Sequence, residues 1–416
     1  MVVAVRGRMP GARRTSVRTE FVTDDAQLLA ARNAWRRLYA AEGSQNPFLH
    51  WEWVWHWWRD FRRLESRPGS LPLMLLFTDD RGIMRGAAPF FVTTRWSGLA
   101  GSRTLRLMGS GGGLTEMRGL LVWPGWEEAV VAALASALIR VRHVYDRCLI
   151  DGLVPGSPLH SCFEAVAERA GWSWGPVLSD HVVALPTTWE EFRGGLRRNI
   201  KESLRHCYNS LARDGHEWRF QRVGGGADLQ PALDRFFELH AGRALMRDAP
   251  RHEDRFARPR HREFLRRVAE ALAPQGHIVV GQLRIGGRVV ATRIGLLATD
   301  SMYLYFSGYD PAWGPYGVAT TVTAELMKVA ISAGLRSVNL SVGTDVSKTR
   351  WGGREVKLCR LQIPSPTRRA RMITTVEQTM RHARRLLTTV RTTVLSRSPA
   401  PGGALDDKRR PLQRVV

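Results

Sequence analysis

The chain has 416 residues, 44% of them apolar, which is long enough for two ordinary globular domains. No two of its four cysteines lie two to four positions apart, which excludes a zinc ribbon and a Cys-x-x-Cys redox site. The formal net charge of +24 is typical of nucleic-acid-binding proteins. However, residues 1–18 contain five Arg and no acid, and residues 366–416 carry a net +9, so the body keeps a moderate +10. No DNA- or RNA-binding motif is recognisable, and we expect no specific nucleic-acid partner.

The first half of the sequence predicts helices, a hairpin, and then alternating strands and helices. A helix at 24–41 is followed by the segment NPFLHWEWVWHWWRDF, in which Trp51, Trp55 and Trp58 share one helical face. We interpret this segment as a buried core helix; the alternative is an aromatic wall for an apolar substrate. The elements that follow are a hairpin at 71–78 and 86–94, strands at 104–108, 120–123 and 148–151, and helices at 126–141 and 158–170.

The second half repeats this order, which suggests an internal duplication. Its predicted elements are a strand at 181–185, helices at 189–214, 229–244 and 260–273, a hairpin at 277–283 and 288–298, a strand at 302–307, a helix at 318–333 and a strand at 337–342. The pattern therefore predicts a mixed α/β fold, with one domain over 19–178 and a second over 179–364.

The two ends of the chain differ in composition from the body. Residues 1–18 are predicted to be a disordered basic tail, and residues 365–416 a second basic tail with a helix at 372–395. The N-terminus lacks the apolar stretch of a signal peptide, and the longest apolar runs are too short to cross a bilayer. We therefore expect a cytoplasmic protein without a transmembrane segment; its oligomeric state is not predicted.

A glycine- and proline-rich loop at 308–317 separates a predicted strand from a predicted helix. The first turn of a helix has free backbone N–H groups and the positive end of the helix dipole, so the start of this helix is a candidate site for a phosphate or pyrophosphate. The loop has neither a Walker motif nor a G-x-G-x-x-G fingerprint. Many strand-loop-helix units bind no ligand, so the pattern alone leaves both interpretations open.

Four segments together resemble the GNAT acyltransferase superfamily. They are NPFLHWEWVWHWW, LRRNIKESLRHCYNSLARDG, FFELHAGR and YFSGYDPAWGPYGVATTVTAELMKVAISAGLRSVNLSVGTDVSKTRWG. The resemblance covers roughly residues 20–363. Within the superfamily, the chain resembles the tandem, CelD-like (cellulose-biosynthesis-associated) acetyltransferases, which are related to the FemAB peptidyltransferases. It implies two tandem GNAT-like domains and transfer of an acyl group, such as acetyl, from acyl-CoA to an amine or hydroxyl, without a metal.

The resemblance also implies where the acyl-CoA binds. In such folds the two strands that bracket the cofactor helix splay apart, the pantetheine arm lies in the gap between them, and the pyrophosphate lies on the N-terminus of that helix. The residues at the corresponding positions are Gly314, Tyr316, Gly317, Val318 and Ala319. The usual Q/R-x-x-G-x-G/A loop is replaced by WGPYGVA, in which Pro315 has no N–H to donate. This departure leaves open a weaker affinity for acyl-CoA or a different donor.

Acyl transfer to an amine needs a base, donors for the oxyanion and an acid for the leaving thiolate. The candidate bases are Glu116, Asp310 and His240. Glu116 matches an acidic position of the family, although Met117 replaces the Tyr that usually follows. The structural alternatives are a solvated loop carboxylate for Glu116, an Asx-type cap for Asp310 and a packed helical residue for His240. The candidate thiolate acids are Tyr309 and Tyr316.

Basic and aromatic residues near the second strand are the candidates for holding the substrate. Lys348 and Arg350 are placed to bind a substrate carboxylate, a CoA phosphate or the oxyanion. Arg243 and Trp351 complete the predicted set, with packing as the alternative for Trp351. We expect a small-molecule acceptor. Two alternatives remain: a FemAB-like transferase with an aminoacyl-tRNA donor, and a non-catalytic protein whose tails bind nucleic acid or an anionic membrane.

Overall fold

The structure is a computed structural model that describes residues 16–62, 72–97, 100–246, 252–343, 345–377 and 379. Most of the two predicted tails, including most of the predicted helix at 372–395, therefore lies outside the described residues. Residues 368–377 are helical. This helix is anchored to the body because Arg369 and Glu377 form ion pairs with Asp146 and Arg147, respectively.

The described residues form one mixed sheet flanked by helices, as the predicted α/β class requires. Its strands are β1 (Arg18–Val22), β2 (Pro72–Thr78), β3 (Met84–Ser97), β4 (Ala100–Leu107), β5 (Leu121–Val122), β6 (Arg147–Leu153), β7 (Ser173–Ala184), β8 (Trp218–Val223), β9 (Ile278–Ile285), β10 (Arg288–Leu297), β11 (Ser301–Tyr309), β12 (Ser337–Val342) and β13 (Arg354–Pro364). The two predicted hairpins are confirmed as β2–β3 and β9–β10.

The helices alternate with these strands in both halves of the chain. They are α1 (Asp25–Ala30), α2 (Arg32–Glu42), α3 (Trp51–Phe61), α4 (Glu127–Arg140), α5 (Pro158–Ala170), α6 (Trp189–Gly195), α7 (Arg198–Arg213), α8 (Leu229–Ala244), α9 (Pro259–Leu272), α10 (Val318–Ser332) and α11 (Val346–Thr349). The prediction of one helix over 189–214 is wrong. The pair Gly194–Gly195 ends α6, and Leu196 and Arg197 are extended before α7 begins.

The two halves exchange their last strands. The sheet order is β1-β2-β3-β4-β6-β13-β7-β12-β11-β10-β9-β8, with β5 paired to β3. β13, from the end of the second half, pairs with both β6 and β7, while β7, from the end of the first half, pairs with β13 and β12. Backbone hydrogen bonds therefore join the halves into one continuous sheet. The predicted boundary between residues 178 and 179 lies inside β7 and stays a prediction.

The Trp-rich helix α3 belongs to the core, which confirms its interpretation as a buried helix. Trp53, Trp57 and Trp58 are each about 1% exposed. Trp53 packs edge-on against Phe264 of α9 with ring centroids 5.2 Å apart. The cluster also includes Tyr303 of β11, so one apolar layer covers this sheet face in both halves. The opposite face is covered by α4 and α5 in the first half and by α6, α7 and α10 in the second.

Helix α8 lies unusually close to β11. A Cβ added at Gly308 would lie 2.3 Å from the backbone nitrogen of His240, which is closer than side chains approach backbone atoms. We predict that Gly308→Ala lowers the free energy of unfolding by about 2 kcal/mol because overpacking forces the helix off the strand. Denaturant unfolding measures this change.

A control substitution of the same chemistry is available in α8 itself. A Cβ at Gly242 would meet no atom within 4 Å, so Gly242→Ala should raise stability by about 0.5 kcal/mol through its higher helix propensity. Equal effects of the two substitutions would contradict the close packing of α8 on β11.

Candidate active site

The parallel strands β11 and β12 separate after a short paired stretch. Their pairing covers Ser301–Tyr303 and Ser337–Asn339, whereas β11 continues to Tyr309 and β12 to Val342. Beyond these pairs, the two strands diverge and leave backbone groups on both edges without a cross-strand partner in the described pairing. A gap of this kind can accept an extended ligand chain between its two edges.

Helix α10 begins beside this gap, directly after a short 3₁₀ turn at Pro311–Tyr316. Its first turn contains no acidic side chain. Helix α4, which lies in the chain between the paired strands β4 and β6 of the first half, has Glu127 and Glu128 in its first turn. Because those carboxylates already occupy the positive end of the α4 dipole, only α10 of this pair offers a free N-terminus to an anion.

Gly317 shapes the start of α10. Its φ of 64° is left-handed, and an added Cβ would lie 2.5 Å from Sγ of Cys207 on α7. Its N–H donates to the Gly314 carbonyl at 2.9 Å, so this predicted phosphate donor is already engaged. Gly314 and Tyr316 lie within the 3₁₀ turn. The amides of Val318 and Ala319 are the first two of α10 and have no partner within the helix.

Two predicted basic residues lie close to this region. Arg350 donates from Nη2 to Oγ1 of Thr320 in the first turn of α10 at 2.5 Å. Its Nε is buried and has no hydrogen-bond partner among the described residues. Burial lowers the pKa of Arg350 below its usual range. Lys348 is held by the Val342 carbonyl at the end of β12 and lies 3.4 Å from Oδ2 of Asp345.

Glu116 comes from the first half and reaches the edge of the gap. The loop that carries it is fixed by Trp53, which donates to Oγ1 of Thr115 at 2.9 Å, and by Tyr305, which donates to the Leu114 carbonyl at 2.5 Å. The Tyr303 hydroxyl donates to Oε2 of Glu116 at 3.0 Å. The exchanged sheet therefore brings a first-half carboxylate onto the β11 and β12 strands of the second half.

The surroundings of Glu116 favour its neutral form. Burial raises its pKa to about 7, although the hydrogen bond from Tyr303 and the positive charge of Lys348 lower it. The negative charge of Asp180 raises it further. Glu116 nevertheless keeps part of its side chain accessible. A carboxyl with a pKa near neutrality can accept a proton from a reacting group and release it again at physiological pH.

Asp180, Asn339 and Ser341 were not among the predicted site residues. Nδ2 of Asn339 donates to Oδ2 of Asp180 at 3.1 Å, and the Ser341 N–H donates to Oδ1 of Asn339 at 2.8 Å. Ser341 has a φ of 70°, a left-handed conformation that costs free energy in a non-glycine residue and that is concentrated at functional sites. The sequence signal was a run of polar residues on one face of β12.

Arg293 was also missed. It lies in the middle of the mostly apolar strand RVVATRIGLL, and a charge at such a position is the signal that would have revealed it. Its Nη1 donates to Oγ1 of Thr323 on α10 at 3.1 Å, and its Nε is buried without a partner among the described residues. Burial lowers its pKa to about 10, and the negative charge of Glu116 partly opposes this effect. Arg293 therefore holds a positive charge beside the gap.

Other predicted residues lie further from Glu116. Both ring nitrogens of His240 face backbone groups, the Ser307 carbonyl at 2.8 Å and the Arg255 N–H at 3.4 Å, which assigns this histidine to the packing of α8 on β11. Arg243 lies over the ring of Tyr309 with its Cζ 5.3 Å from the ring centroid. Asp310 caps the 3₁₀ turn by accepting from Ala312 N at 3.1 Å.

Tyr316 and Trp351 also contact groups outside the gap between β11 and β12. The Tyr316 hydroxyl donates to Oδ2 of Asp214 at 3.0 Å, towards the end of α7. Trp351 is 2% exposed and belongs to the core under α10. Of the predicted catalytic residues, the structure thus brings together Glu116 and Lys348, and it places Arg350 with Ala319 and Val318 at the start of α10.

The equivalent gap of the first half is closed. β4 and β6 pair over Thr104–Arg106 and Arg147–Leu149, and the loop that follows β4 then folds back onto β6. Nε of Arg118 in this loop donates to Asp151 of β6 at 3.0 Å, and Arg360 of β13 binds the same carboxylate. The open gap therefore belongs to the second half. Within the described residues, no cluster of His, Cys, Asp or Glu could hold a metal ion, and no helix is long and apolar enough to cross a membrane.

The raised pKa of Glu116 predicts a pH-dependent stability. The folded state favours the protonated carboxyl, so its stabilising contribution is complete below pH 4.5 and is lost as the pH rises through about 7. Relative to Glu116→Gln, the wild-type protein should therefore lose up to about 3 kcal/mol of unfolding free energy between pH 4.5 and 8.

Denaturant unfolding of both proteins at several pH values measures this difference. Tyr303→Phe serves as the matched variant, because removal of the hydroxyl that lowers the Glu116 pKa should move the loss to higher pH. A difference between wild type and Glu116→Gln that is the same at pH 5 and pH 8 would contradict the raised pKa.

The match to known families falls on the half with the open gap. Residues 197–349 match the family model described as "Acetyltransferase (GNAT) domain". No curated protein sequence matches the chain.

Solved structures share the fold at low sequence identity. The structure of FemX is 10% identical and superposes with a TM-score of 0.56, over 78% of this chain and 95% of that one. A conserved protein from Bacteroides thetaiotaomicron is 13% identical with a TM-score of 0.52, over 83% and 100% of the two chains. At these identities the likeness shows the fold alone. Residues 197–349 thus match the GNAT acetyltransferase domain model, and the chain shares its overall fold with FemX.

Proposed function

We propose that the protein is an acyl-CoA-dependent N- or O-acyltransferase that transfers an acyl group, such as acetyl, to a small acceptor. The observation that carries this proposal is the conjunction of the open β11–β12 gap, the acid-free start of α10 beside it, and a carboxyl with a pKa near 7 at its edge. The GNAT domain match supports it. Membership of the CelD-like branch and a cytoplasmic location remain predictions.

The residues at the start of α10 fit the pyrophosphate of coenzyme A. The amides of Val318 and Ala319 point from the positive end of the helix, and Arg350 lies against the same turn through Thr320. The Nε of Arg350, which has no hydrogen-bond partner within the described part of the chain, offers a further charged donor to a phosphate oxygen. An acyl-CoA bound there would supply the acyl group as a thioester.

Glu116 is the proposed general base. It accepts the proton that the attacking amine or hydroxyl loses, and its pKa near 7 lets it exchange this proton with solvent at neutral pH. Tyr303 and Ser341 orient its carboxyl through hydrogen bonds. Lys348 and Arg293 place two positive charges around the reacting centre, where they oppose the negative charge that develops on the carbonyl oxygen.

The start of α10 provides the sharpest test of the cofactor site. Ala319→Glu places a carboxylate at the positive end of the helix, which favours the helix but repels a pyrophosphate. We predict that acetyl-CoA binds the wild-type chain in calorimetric titration and binds Ala319→Glu about tenfold more weakly or worse, a loss of about 1.4 kcal/mol or more. Unlike a substitution of Gly317, this change meets neither a left-handed φ nor the Cys207 sulfur.

Ala319→Gln is the control, because it adds nearly the same volume without the charge. It should retain most of the affinity for acetyl-CoA, and both variants should unfold at denaturant concentrations close to wild type. Equal binding by wild type and Ala319→Glu would refute the placement of the pyrophosphate at this helix.

The basic face of α6 and α7 favours a second candidate, a FemAB-like transferase with an aminoacyl-tRNA donor. Arg193, Arg197, Arg198 and Arg205 are exposed there, close to the 3₁₀ turn that His206 contacts through the Pro315 carbonyl at 3.1 Å. A folded wild-type chain that binds no acetyl-CoA but retains tRNA at low salt would favour this candidate, since phosphate contacts make such binding salt-sensitive.

A further inference from the structure

A largely apolar cavity lies on the exchanged strands, beside the loop that carries Glu116. It has a volume of about 550 Å³ and is lined by residues from β7, β12 and β13 together with residues of the first half. Val182, Val356 and Leu358 are among its apolar lining residues, and Met117, the neighbour of Glu116, also lines it. The cavity therefore opens on the same sheet face as the proposed base and belongs to neither half alone.

One of the residues that line the cavity is a buried carboxylate with a hydrogen-bond partner at only one of its two oxygens among the described residues. Asp180 is 1% exposed and lines the cavity. Its Oδ2 accepts from Asn339, whereas its Oδ1 is buried and has no hydrogen-bond partner among the described residues. A buried carboxylate oxygen without a donor is costly, so a polar ligand that supplies a donor here would gain binding free energy.

The charged groups that interact with Asp180 are a second carboxyl and one ammonium. Its negative charge acts on Glu116 and on Tyr303, whose hydroxyl binds Glu116. The ammonium of Lys348 is the positive group that acts on both carboxyls, but it is already bound to the Val342 carbonyl and to Asp345. Asp180 thus lines a largely apolar cavity whose wall also includes Asp300, Arg336 and Arg354, and Glu116 lies next to the lining residue Met117 in the chain.

We propose that this cavity binds the acyl acceptor and that the acceptor is a primary amine on an aliphatic chain. This inference rests on the proposed function. Asp180 binds the ammonium group, the chain lies along Val182, Val356 and Leu358, and the nitrogen lies within reach of Glu116. Such a pocket combines apolar walls with one well-placed charged group, as ligand sites commonly do.

Acyl transfer to an amine acceptor conserves atoms and charge. The nitrogen attacks the thioester carbonyl, the carbon–nitrogen bond forms and the carbon–sulfur bond breaks. Of the three ammonium protons, one stays on the amide nitrogen, one ends on the thiol of coenzyme A and one leaves to solvent through Glu116. The products are an N-alkyl amide and free coenzyme A.

The test is calorimetric titration of the full chain with n-butylamine, n-octylamine and n-octanol, without acetyl-CoA. We expect n-octylamine to bind more tightly than both other probes, because it alone has the charge and the longer chain. Asp180→Asn should weaken n-octylamine binding about tenfold or more, which corresponds to about 1.4 kcal/mol. Asp234→Asn, an equivalent change on the outer face of α8, should leave it unchanged.

Val182→Phe tests the apolar wall separately. The larger side chain should remove the advantage of n-octylamine over n-butylamine, while both still depend on Asp180. Octylamine affinity that is equal in wild type and Asp180→Asn, or that equals the affinity for n-octanol, would overturn the amine assignment.

Acetyl-CoA titrations of the same variants separate this inference from the proposed function. Unchanged acetyl-CoA binding by Asp180→Asn would show that the variant is folded, so that its loss of amine binding supports the cavity assignment. Amine binding without any acetyl-CoA binding in the wild type would instead leave the cavity supported and contradict the acyl-CoA proposal.

Discussion

The site depends on the reciprocal pairing of β7 and β13. Because β13 lies between β6 and β7, and β7 lies between β13 and β12, neither half completes its own part of the sheet. This exchange sets β12 next to a strand of the first half and brings Asp180 onto Asn339. The shared apolar layer around α3 then fixes the Glu116 loop over β11 through Trp53 and Tyr305. The proposed base and the proposed cofactor site come from different halves as a direct consequence.

The two halves differ at the places where a ligand would bind. In the second half, β11 and β12 separate and α10 begins without an acidic residue. In the first half, Arg118 and Asp151 close the loop onto β6, and two glutamates occupy the start of α4. We therefore interpret the first half as a support that supplies Glu116 and part of the acceptor cavity, and the second half as the part that binds the acyl donor.

Local features of the site were predictable from the sequence, but its assembly was not. The glycine turn before α10 and the basic residues after β12 are short-range patterns, and the two hairpins follow from their turn residues. The strand exchange was not predictable, because β7 and β13 alternate in a similar way and nothing local specifies their partners. Asp180 and Arg293 look like ordinary polar positions in strands until the neighbouring elements bury them. The surroundings of His240 were hidden for the same reason, since only the packing of α8 shows that backbone groups face both ring nitrogens; its catalytic role stays a prediction.

A crystal structure of the chain soaked with coenzyme A would test the central claim most directly. Our account predicts the pyrophosphate on the amides of Val318 and Ala319, the pantetheine arm between β11 and β12, and the thiol directed towards Glu116. Coenzyme A bound elsewhere, or a closed gap with the ligand absent at saturating concentration, would contradict the assignment of this gap as the acyl-donor site.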